Sequence, residues 1–482
     1  MSTRAPFPIE EPTFHTEAES SQPLTGRHAL VIDAGDAANA GAPGPVRWLE
    51  LARPGLEIGR RPTGEGGLHT WAVSHRRASG RHARITFQAD NWFITDLGST
   101  NGTLVNGRLI TGPVRLNDGM FLMFGGQAAV FRLVDASDLA AMTEEAESPL
   151  GPVPSASPRM VRMLSRLRRL APSHEEVLLV GETGVGKEVY ARALHAASGR
   201  KGPFVPINCA AVPGELLESE LFGYVRGAHS QAGQAKKGLI EEASGGTLLL
   251  DEIGDMPSAA QAKILRFIQT RQFTPLGATT SRRLDTRFVA ATSQTMFDAV
   301  VAEMGPALRS DLLGRLGGEP IRLPPLRERP EDLGPLVAHL LASSGGAGME
   351  IEPAAFLALW LYAWPRNVRE LEKVIREARL YAVNDARIGL AHLPQSMSGH
   401  VRSVPSPAPP APAQTLDDSD DNGEAGRKLR RPMPTKDELQ SLLVQHKGSV
   451  SSVARALDRQ WAVVHRTLMR YGLDPNTYRD NT

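Results

Sequence analysis

The sequence predicts a multidomain protein of three fold classes: an all-β sandwich, an α/β P-loop core with an α-helical lid, and an all-α C-terminal unit. Short strand-like runs separated by Gly, Asn and Asp turns occupy residues 28–136. An apolar strand, a glycine loop and a helix follow one another near residue 180. Helical periodicity returns from residue 434. A chain of 482 residues is long enough for all of these units.

Composition predicts a soluble cytoplasmic protein. The net charge is +1, no run of 18 apolar residues occurs, and the N-terminus lacks an apolar signal segment, so we expect no membrane association. The single cysteine, Cys209, excludes an intrachain disulfide, fits a reducing compartment and is expected to be a small buried residue. Residues 1–27, with four prolines and little apolar patterning, are predicted to be a mobile tail.

The predicted sandwich, residues 28–136, carries Arg60 after a strand, the run Ser79-Gly-Arg-His82, and the turn-rich segment Asp96–Gly107. A guanidinium can fork onto phosphate oxygens, and hydroxyl and amide groups on loops at one end of a sheet can donate short hydrogen bonds. These stretches resemble the forkhead-associated (FHA) domain, which binds phosphothreonine peptides. A sandwich that has lost its ligand is the alternative.

The resemblance implies a role for each of these loop residues. Arg60 and Ser79 would hold the phosphate, Thr100 and Asn101 would orient the peptide backbone, and His82 and Asn106 would brace the loops. Gly80 stands where the family often has a basic residue or Asn, which predicts a weaker phosphate contact.

Residues 137–157, with the acidic run Glu144–Glu147 and three prolines, are predicted to be a linker. An amphipathic helix with a basic face follows over residues 159–170, because Met160, Met163, Leu164 and Leu167 recur at helical spacing.

A glycine loop between a strand and a helix forms the next candidate site. In such a loop, backbone N–H groups converge on phosphate oxygens, the helix N-terminus adds its positive dipole end, and Lys187 reaches the β and γ phosphates. A flexible glycine turn is the alternative. The predicted ATP-binding residues are Gly181, Glu182, Thr183, Gly184, Val185, Gly186, Lys187 and Glu188.

A second apolar strand, residues 245–250, ends in Asp251 and Glu252. A fully apolar run is typical of a buried parallel strand. At its carboxyl end Asp251 can hold Mg²⁺, and Glu252 can polarise the attacking water. An ordinary strand closed by an acidic turn is the alternative.

Residues 158–398 resemble the AAA+ domain of the bacterial enhancer-binding activators, which act on RNA polymerase carrying sigma-54. The resemblance lies in GETGVGKE at residue 181, INCAAV at 207, ESELFG at 218, GGTLLLDEIGDMP at 245, LPPLRERPEDL at 323 and WPRNVRELE at 364. It implies a core over 158–322, a helical lid over 323–398, and ATP and Mg²⁺ as cofactors. Glu188 replaces the common Ser or Thr that ligates Mg²⁺, as it often does in this family.

The same resemblance implies further site residues. Asn208 would couple nucleotide state to Glu252, and Ser293 stands where the family has an asparagine that senses the γ-phosphate. Arg309 and Arg315 would reach the neighbouring subunit's nucleotide, and Arg369 would touch the nucleotide from the lid. Arginines supplied in trans imply a ring, a hexamer, with a dimer at rest. A solvated helix face is the alternative for each arginine.

The loop expected to contact sigma-54 departs from the family sequence GAFTGA. This chain has Gly227, Ala228, His229, Ser230, Gln231 and Ala232. Imidazole replaces an apolar ring, and Gln231 removes a glycine able to adopt positive φ. Either the partner is altered to match, or the grip on sigma-54 is weak or lost.

Residues 399–433, rich in Pro, Ala and Asp, are predicted to be a disordered linker. Within it, Thr415 precedes an acid by three residues, which suggests an FHA ligand if it is phosphorylated. From Arg427 onwards there are eleven Lys or Arg and five Asp or Glu.

Residues 434–482 resemble the Fis-type helix-turn-helix that ends most of these activators. The candidate DNA contacts are Trp461, His465, Arg466 and Arg470. A basic dimerisation helix pair is the alternative.

Together these modules predict a bacterial transcription activator. A phosphothreonine protein binds the sandwich, the tail holds an upstream DNA site, and an ATP-hydrolysing ring remodels sigma-54 RNA polymerase. Two other hypotheses stay open: a DNA-bound regulator that does not engage sigma-54, and a phosphopeptide-binding scaffold in which nucleotide only sets the oligomeric state.

Overall fold

The computed structural model describes residues 27–36, 47–228, 234–301, 309–316, 318–382, 385, 387–397, 436–446, 453, 471 and 473. The described residues up to 397 belong to one compact unit, and those from 436 onwards belong to a second. The predicted N-terminal tail up to residue 26, the 399–433 linker with Thr415, and the candidate DNA contacts Trp461, His465, Arg466 and Arg470 lie outside the described residues.

The described residues between 28 and 134 form two sheets in which most neighbouring strands are antiparallel. Their strands are β1 (His28–Asp36), β2 (Trp48–Glu50), β3 (Gly55–Gly59), β4 (His69–Ala72), β5 (Ala83–Gln88), β6 (Asn91–Asp96), β7 (Thr103–Val105), β8 (Arg108–Leu109), β9 (Val114–Arg115), β10 (Phe121–Phe124) and β11 (Gln127–Val134). One sheet has the order β2-β1-β11-β10-β7-β8 and the other β4-β3-β5-β6-β9. The prediction of an all-β sandwich is confirmed.

Apolar side chains from both sheets fill the space between them. Ile58, Ile85 and Ile94 from one sheet and Leu122 and Phe131 from the other are fully buried. Along β6, buried side chains alternate with half-buried ones. This period of two is expected for a strand that turns one face toward the core. The loops that follow β3, β4 and β6 are thereby held on a rigid support.

The segment predicted as a linker contains a helix. Residues 136–147 form α1 (Ala136–Glu147), which is capped by the Asp135 carboxylate accepting from the Asp138 N–H at 2.8 Å. Its Met142 is fully buried against the next helix and the sandwich. Acidic residues that suggest a solvated linker instead pair with α2 (Pro158–Leu170), where Arg162 contacts Asp138 and Arg168 contacts Glu145.

A parallel sheet of order β13-β14-β17-β12-β18 forms the α/β core. Its strands are β12 (Val177–Val180), β13 (Phe204–Asn208), β14 (Thr247–Asp251), β17 (Arg287–Thr292) and β18 (Ile321–Arg322), and a small hairpin consists of β15 (Gln272–Phe273) and β16 (Arg282–Arg283). Helices α3 (Lys187–Ala197), α4 (Gly214–Phe222), α5 (Leu239–Glu242), α6 (Ser258–Thr270), α7 (Gln294–Val301) and α8 (Ser310–Arg315) accompany it. The predicted α/β class is confirmed.

The two faces of this sheet have separate cores. Leu248 and Leu250 face the helices α4 and α6, whereas Leu249 and Val289 face α2 and α3. Because both faces are covered, the three central residues of β14, Leu248, Leu249 and Leu250, are all apolar, as the sequence predicted.

Helices α9 (Leu333–Ser343), α10 (Pro353–Leu361) and α11 (Asn367–Tyr381) form the lid, together with β19 (Glu350–Ile351) and β20 (Arg387–Ile388). Trp364, Leu371 and Ile375 are buried in its core. The same apolar cluster includes Ala34 and Phe121 of the sandwich, so the sandwich and the lid share one core.

In the second unit, helix α12 (Lys436–Gln445) buries Leu439 and Leu443 in a small cluster with Val453 and Leu473. The helix-turn-helix stays a prediction, because most of its residues are not described. None of the helices in the described part of the chain has the length and apolar composition needed to cross a bilayer.

Candidate functional site

The predicted phosphate loop lies between β12 and α3, as its pattern required. Gly184 and Gly186 have φ of 79° and 108°, a region that favours glycine. At Gly184 a Cβ would also lie 2.4 Å from the Arg366 carbonyl oxygen, so the lid passes directly over the loop. The loop therefore needs glycine there for its conformation and for close approach of the lid.

Lys187 is the first residue of α3 and is 7% exposed. Its Nζ donates to the Gly181 carbonyl oxygen at 3.0 Å and lies 3.4 Å from the Glu252 carboxylate. The ammonium group thus lies between the loop and the acidic end of β14. Glu188, the residue after it, is exposed and pairs with Arg192 across one helical turn.

Asp251 ends β14 beside Asn208, which ends the neighbouring strand β13 in register, and Glu252 follows directly after β14. The Asn208 side-chain amide donates to the Asp251 carboxylate at 3.4 Å, and its oxygen caps the next turn through Ala210 and Ala211. Glu252 has φ of 49°. Burial and the Glu252 carboxylate raise the pKa of Asp251, which a cation beside it would reverse.

Ser293 follows β17 and accepts from the Met296 N–H at 3.2 Å, so its hydroxyl caps helix α7. Cys209 is buried as predicted, and burial raises the pKa of its thiol to about 12. Such a thiol is chemically inert at neutral pH.

Lid residues that sequence reasoning did not single out hold the phosphate loop. Arg327 binds the Glu182 carboxylate with two hydrogen bonds, at 2.9 and 2.6 Å. Arg329, 2% exposed, donates to the Val185 carbonyl oxygen at 3.0 Å. Both arginines lie in the motif at residues 323–333, so the signal was present in the sequence.

Asn367 is the most completely enclosed of these residues, at 0% exposure. Its amide donates to Glu182 at 3.0 Å and to the Thr183 carbonyl oxygen at 3.2 Å, and its oxygen accepts from the Leu326 N–H at 2.8 Å. Arg369, predicted to face nucleotide from the lid, lies two residues further along α11, and its backbone N–H donates to the Gly184 carbonyl oxygen at 3.3 Å.

Arg309 and Arg315 flank α8 and are exposed. The Arg309 guanidinium binds the Asp311 carboxylate at 3.0 and 2.7 Å, while its N–H donates to Gln261. The structure therefore does not bring these two arginines into contact with the chain's own phosphate loop, in the part of the chain that it describes.

Backbone hydrogen bonds join the two ends of the predicted sigma-54 contact loop to each other and to a neighbouring segment. Tyr224 and Lys236 exchange backbone hydrogen bonds at 3.0 and 2.9 Å, and the Val225 N–H donates to the Leu276 carbonyl oxygen at 3.0 Å. Gly227 and Ala228 begin the loop next to Gly277. The remaining loop residues, His229, Ser230, Gln231 and Ala232, lie outside the described residues.

The structure brings the four predicted phosphopeptide residues together on loops at one end of the sandwich. The Arg60 Nε donates to the Ala78 carbonyl oxygen at 2.5 Å. The Ser79 hydroxyl oxygen accepts from the Thr100 N–H at 3.0 Å. The Asn101 amide donates to the Arg77 carbonyl oxygen at 2.7 Å, so the two loops are joined.

His82 and Asn106 brace these loops, as the resemblance implied. The buried His82 ring accepts from the Ser79 N–H at 3.0 Å and donates to the Gly102 carbonyl oxygen at 3.1 Å. Burial lowers the pKa of His82, which keeps the ring neutral in this tautomer. The Asn106 oxygen accepts from the Phe121 N–H at 2.9 Å.

Asp96 is a further bracing residue that sequence reasoning missed. Its carboxylate accepts from the Ser99 hydroxyl and the Thr103 hydroxyl, both at 2.7 Å. Although burial opposes it, these hydrogen bonds hold the pKa of Asp96 below its usual range.

Comparison with known proteins assigns each of these regions. Residues 153–322 match the family model of the Sigma-54 interaction domain, residues 56–125 that of the FHA domain, and residues 327–409 that of the AAA+ ATPase lid domain. The fold and the two sites thus define an AAA+ protein that carries an FHA domain.

Curated relatives give the family. The Regulatory protein AtoC of Escherichia coli (strain K12) is 36% identical over 337 residues, which cover 67% of this chain and 68% of AtoC. The Sigma54-dependent transcriptional activator SfnR of Pseudomonas putida is 44% identical over 228 residues, or 46% of this chain and 62% of SfnR. The chain belongs to the family of sigma-54-dependent transcriptional regulators.

A solved structure of NtrX from Brucella abortus in complex with ATP is 28% identical and covers 70% of this chain and 71% of that chain, with a TM-score of 0.46. For several other curated relatives, the chain spans about half of their length or less.

Proposed function

We propose that this protein hydrolyses ATP as an oligomeric ring to remodel RNA polymerase carrying sigma-54, in response to a phosphothreonine signal. The observation that carries the proposal is the convergence of Lys187, Asp251 and Glu252 at one edge of the parallel sheet. A phosphate-binding lysine, a metal-binding carboxylate and a second carboxylate for water are the groups that phosphoryl transfer needs.

Within this site each residue has a distinct task. The glycine loop and Lys187 bind the phosphates, and Glu252 orients the attacking water and accepts its proton. Asn208 and Ser293 hold hydrogen bonds at the ends of β13 and β17, the two strands on either side of β14, where they can respond to the γ-phosphate. Arg369 would reach the nucleotide from the lid.

The residues present fit a magnesium ion. Asp251 offers a carboxylate whose pKa is raised by burial and by the neighbouring Glu252 carboxylate, and a bound cation would favour its charged form. The described residues hold no cluster of three or more metal-ligating side chains, and Mg²⁺ bound to a nucleotide ordinarily uses one or two carboxylates, phosphate oxygens and water. When bound, the ion would neutralise charge on the phosphates.

Arg309 and Arg315 are proposed to act on the nucleotide of the neighbouring subunit. Both are exposed, Arg309 directly before α8 and Arg315 as its last residue, so they are available to a second copy of the chain. An arginine supplied in trans stabilises charge on the transferring phosphoryl group. This role requires a ring, for which we propose a hexamer that forms from resting dimers.

The sandwich is proposed to bind a phosphothreonine protein through Arg60, Ser79, Thr100 and Asn101. Arg60 is exposed beside the Ser79 hydroxyl, so a guanidinium and a hydroxyl can meet one phosphate. We expect Ser79→Ala to weaken binding of phosphothreonine peptides, measured by fluorescence anisotropy. Thr111→Ala, which removes an exposed hydroxyl on the loop between β8 and β9, is the control and should bind as the parent does.

The C-terminal residues 434–482 are proposed to bind an upstream DNA site in the bacterial cytoplasm, with Trp461, His465, Arg466 and Arg470 as the contacts. The local excess of basic residues supports nucleic-acid binding. The loop Gly227–Ala232 would contact sigma-54.

The decisive experiment is capture of purified sigma-54 by the full-length chain with ADP and a metal fluoride bound. Capture by the parent chain supports the proposal, and Glu252→Gln should abolish steady-state hydrolysis in the same preparations. A parallel variant carries His229→Phe, Ser230→Thr and Gln231→Gly. Capture by that variant alone would contradict sigma-54 engagement and favour a DNA-bound regulator that acts without it.

A further inference from the structure

Arginine side chains line a cavity of about 480 Å³ in the α/β core. Its charged or titratable lining residues are Arg200, Arg271, Arg283, Arg287, His174 and Asp285. A cavity of this volume is of the size that small molecules occupy. We call it the arginine cavity.

The arginine cavity and the nucleotide site lie at opposite edges of the parallel sheet. Arg287 is the first residue of β17, and His174 comes shortly before β12. Asp251, by contrast, is the last residue of β14. Because neighbouring strands of this sheet run parallel, their amino ends share one edge and their carboxyl ends the other. The arginine cavity is therefore separate from the site that contains Lys187 and Asp251.

Two of the four guanidinium groups are held in place by the protein itself. Arg287 is 1% exposed and donates to three backbone carbonyl oxygens. The Arg200 side chain is 8% exposed, donates to the Gly246 carbonyl oxygen at 2.8 Å and binds the Asp285 carboxylate at 2.6 Å. Charges that are already fixed need little further ordering when a ligand binds.

Arg200 also sets the protonation state of His174. A guanidinium group can only donate, so the His174 Nδ1, which lies 3.0 Å from the Arg200 Nη1, accepts this hydrogen bond. The ring is then neutral and carries its proton on Nε2. Because His174 is exposed and lines the cavity, its Nε2–H can donate to an anion there.

The positive charge of the arginine cavity is only partly neutralised. Arg283 is exposed and forms no ion pair or side-chain hydrogen bond with another residue in the described part of the chain. Arg271 binds the Glu176 carboxylate at 2.6 Å. The four guanidinium groups outnumber the nearby carboxylates, which belong to Asp285, Glu176 and Glu175. An excess of one sign of charge in a cleft attracts ligands of the opposite sign.

The pKa values of two groups in the cavity respond to this charge. Burial, followed by the charge of Arg200, lowers the pKa of Arg287. The hydrogen bond from Arg200 lowers the pKa of Asp285. The cavity thus disfavours a further positive charge and favours a negative one.

We propose that the arginine cavity binds a small anion with two linked phosphate groups, as in pyrophosphate or a nucleoside diphosphate. Guanidinium groups bind phosphate oxygens through paired, charge-assisted hydrogen bonds. The donors come from separate segments of the chain, and two linked phosphates can contact more of them than one phosphate can. This second site goes beyond the proposed function and does not depend on ATP hydrolysis.

The test is isothermal titration calorimetry of the full-length chain, with the nucleotide site first filled with ADP and a metal fluoride. Sodium pyrophosphate is one probe and uridine diphosphate the other. Arg283→Gln removes the charge without a partner in the cavity. Arg282→Gln, at the neighbouring residue of β16 that binds Glu241, makes the same change outside the cavity and is the matched control.

Pyrophosphate should bind equally well to the parent and to Arg282→Gln. Arg283→Gln should bind it about tenfold more weakly, because a charge-assisted hydrogen bond is lost. Arg283→Lys keeps the charge and should bind more tightly than Arg283→Gln. Binding of both probes would assign nucleoside diphosphates to the cavity, and binding of pyrophosphate alone would assign the inorganic anion.

Equal affinity of Arg283→Gln and Arg282→Gln would overturn the proposal, as would the absence of saturable binding of either probe to the parent. If neither probe binds and a short duplex DNA binds more weakly to Arg283→Gln than to Arg282→Gln, the cavity is a nucleic-acid contact instead. A parent that retains no ADP would contradict the proposed function, whereas the comparison of the two variants would still test the second site.

Discussion

Single side chains hold the phosphate loop in this protein, and the Asn367 side chain makes hydrogen bonds to three partners. Its carboxamide serves three partners on two segments, and its backbone has φ of 52°, which Asn tolerates better than most residues. A buried amide with all of its partners present fixes one arrangement of the segments that it joins.

Asn367→Ala should lower the free energy of unfolding by about 2 kcal/mol or more, because the buried Leu326 N–H loses its acceptor and Thr183 its donor. Thermal unfolding of the full chain measures the change. Lys373→Ala, on the exposed side of α11, is the control. Equal midpoints for the two variants would contradict the role of Asn367.

The buried carboxyl group of Asp332 makes the stability of the folded chain depend on pH. Burial raises the pKa of Asp332 to about 7, although Arg329 and the Ser155 hydroxyl oppose the shift and Glu331 adds to it. Between the ordinary aspartate pKa and about 7, the folded chain holds a proton that the unfolded chain has released. The contribution of this group to stability is therefore lost as pH rises through that window.

Asp332→Asn cannot ionise, so it should gain stability relative to the parent as pH rises from 5 to 7, by roughly 2 kcal/mol. The measurement is the difference in thermal midpoint between variant and parent across that range. Asp90→Asn, in an exposed turn, is the control. A constant difference for Asp332→Asn would refute the shift.

At the scale of elements, one arginine closes the C-terminal end of α2. Arg287 is 1% exposed, and its guanidinium donates to the carbonyl oxygens of Leu170, Ala171 and Glu175 at 2.8–2.9 Å. The last carbonyl groups of a helix lack partners within the helix, so a buried helix end requires such donors. Arg287 lies on β17 and therefore fastens α2 to the central sheet.

Replacing Arg287 with Met keeps much of the volume but removes all three donors. We expect a loss of about 2–4 kcal/mol in the free energy of unfolding. Urea unfolding monitored by far-ultraviolet circular dichroism is the measurement. Arg283→Met, on the exposed strand β16, should change stability little. A similar loss in both variants would show that the carbonyl contacts of Arg287 do not stabilise α2.

At the scale of the whole molecule, the proposed ring divides each catalytic site between two copies. Glu252 would act on the nucleotide of its own chain, and the exposed Arg309 on that of the neighbour. Glu252→Gln and Arg309→Ala should each be inactive alone.

A mixture of the two variants should regain activity, because an Arg309→Ala subunit next to a Glu252→Gln subunit forms one complete site. Random mixing in equal amounts would restore up to about a quarter of the sites. Steady-state phosphate release against mixing ratio is the measurement. No recovery in a mixture that forms mixed rings by native mass spectrometry would place Arg309 outside the neighbouring site.

The sequence predicted the modules well where a local pattern is enough. The glycines at 184 and 186, the apolar strand before Asp251, and the turn-separated strands of residues 28–134 follow from local chemistry, and the structure has each of them. The residues 136–147 were wrongly expected to be only a linker, because their acidic residues suggest solvent, and their partners Arg162 and Arg168 lie on another helix.

By itself the sequence determined the all-β and α/β fold classes, the phosphate loop with its acidic strand, and the loops of the sandwich. Each of these depends on contacts between residues close in the chain, or on a motif of fixed spacing. Only the tertiary structure decided that Arg327, Arg329 and Asn367 hold the loop and that the sandwich bridges core and lid. The contacts of these three residues with the loop join segments more than a hundred residues apart. Their cause is the burial of shared groups, which no local pattern encodes.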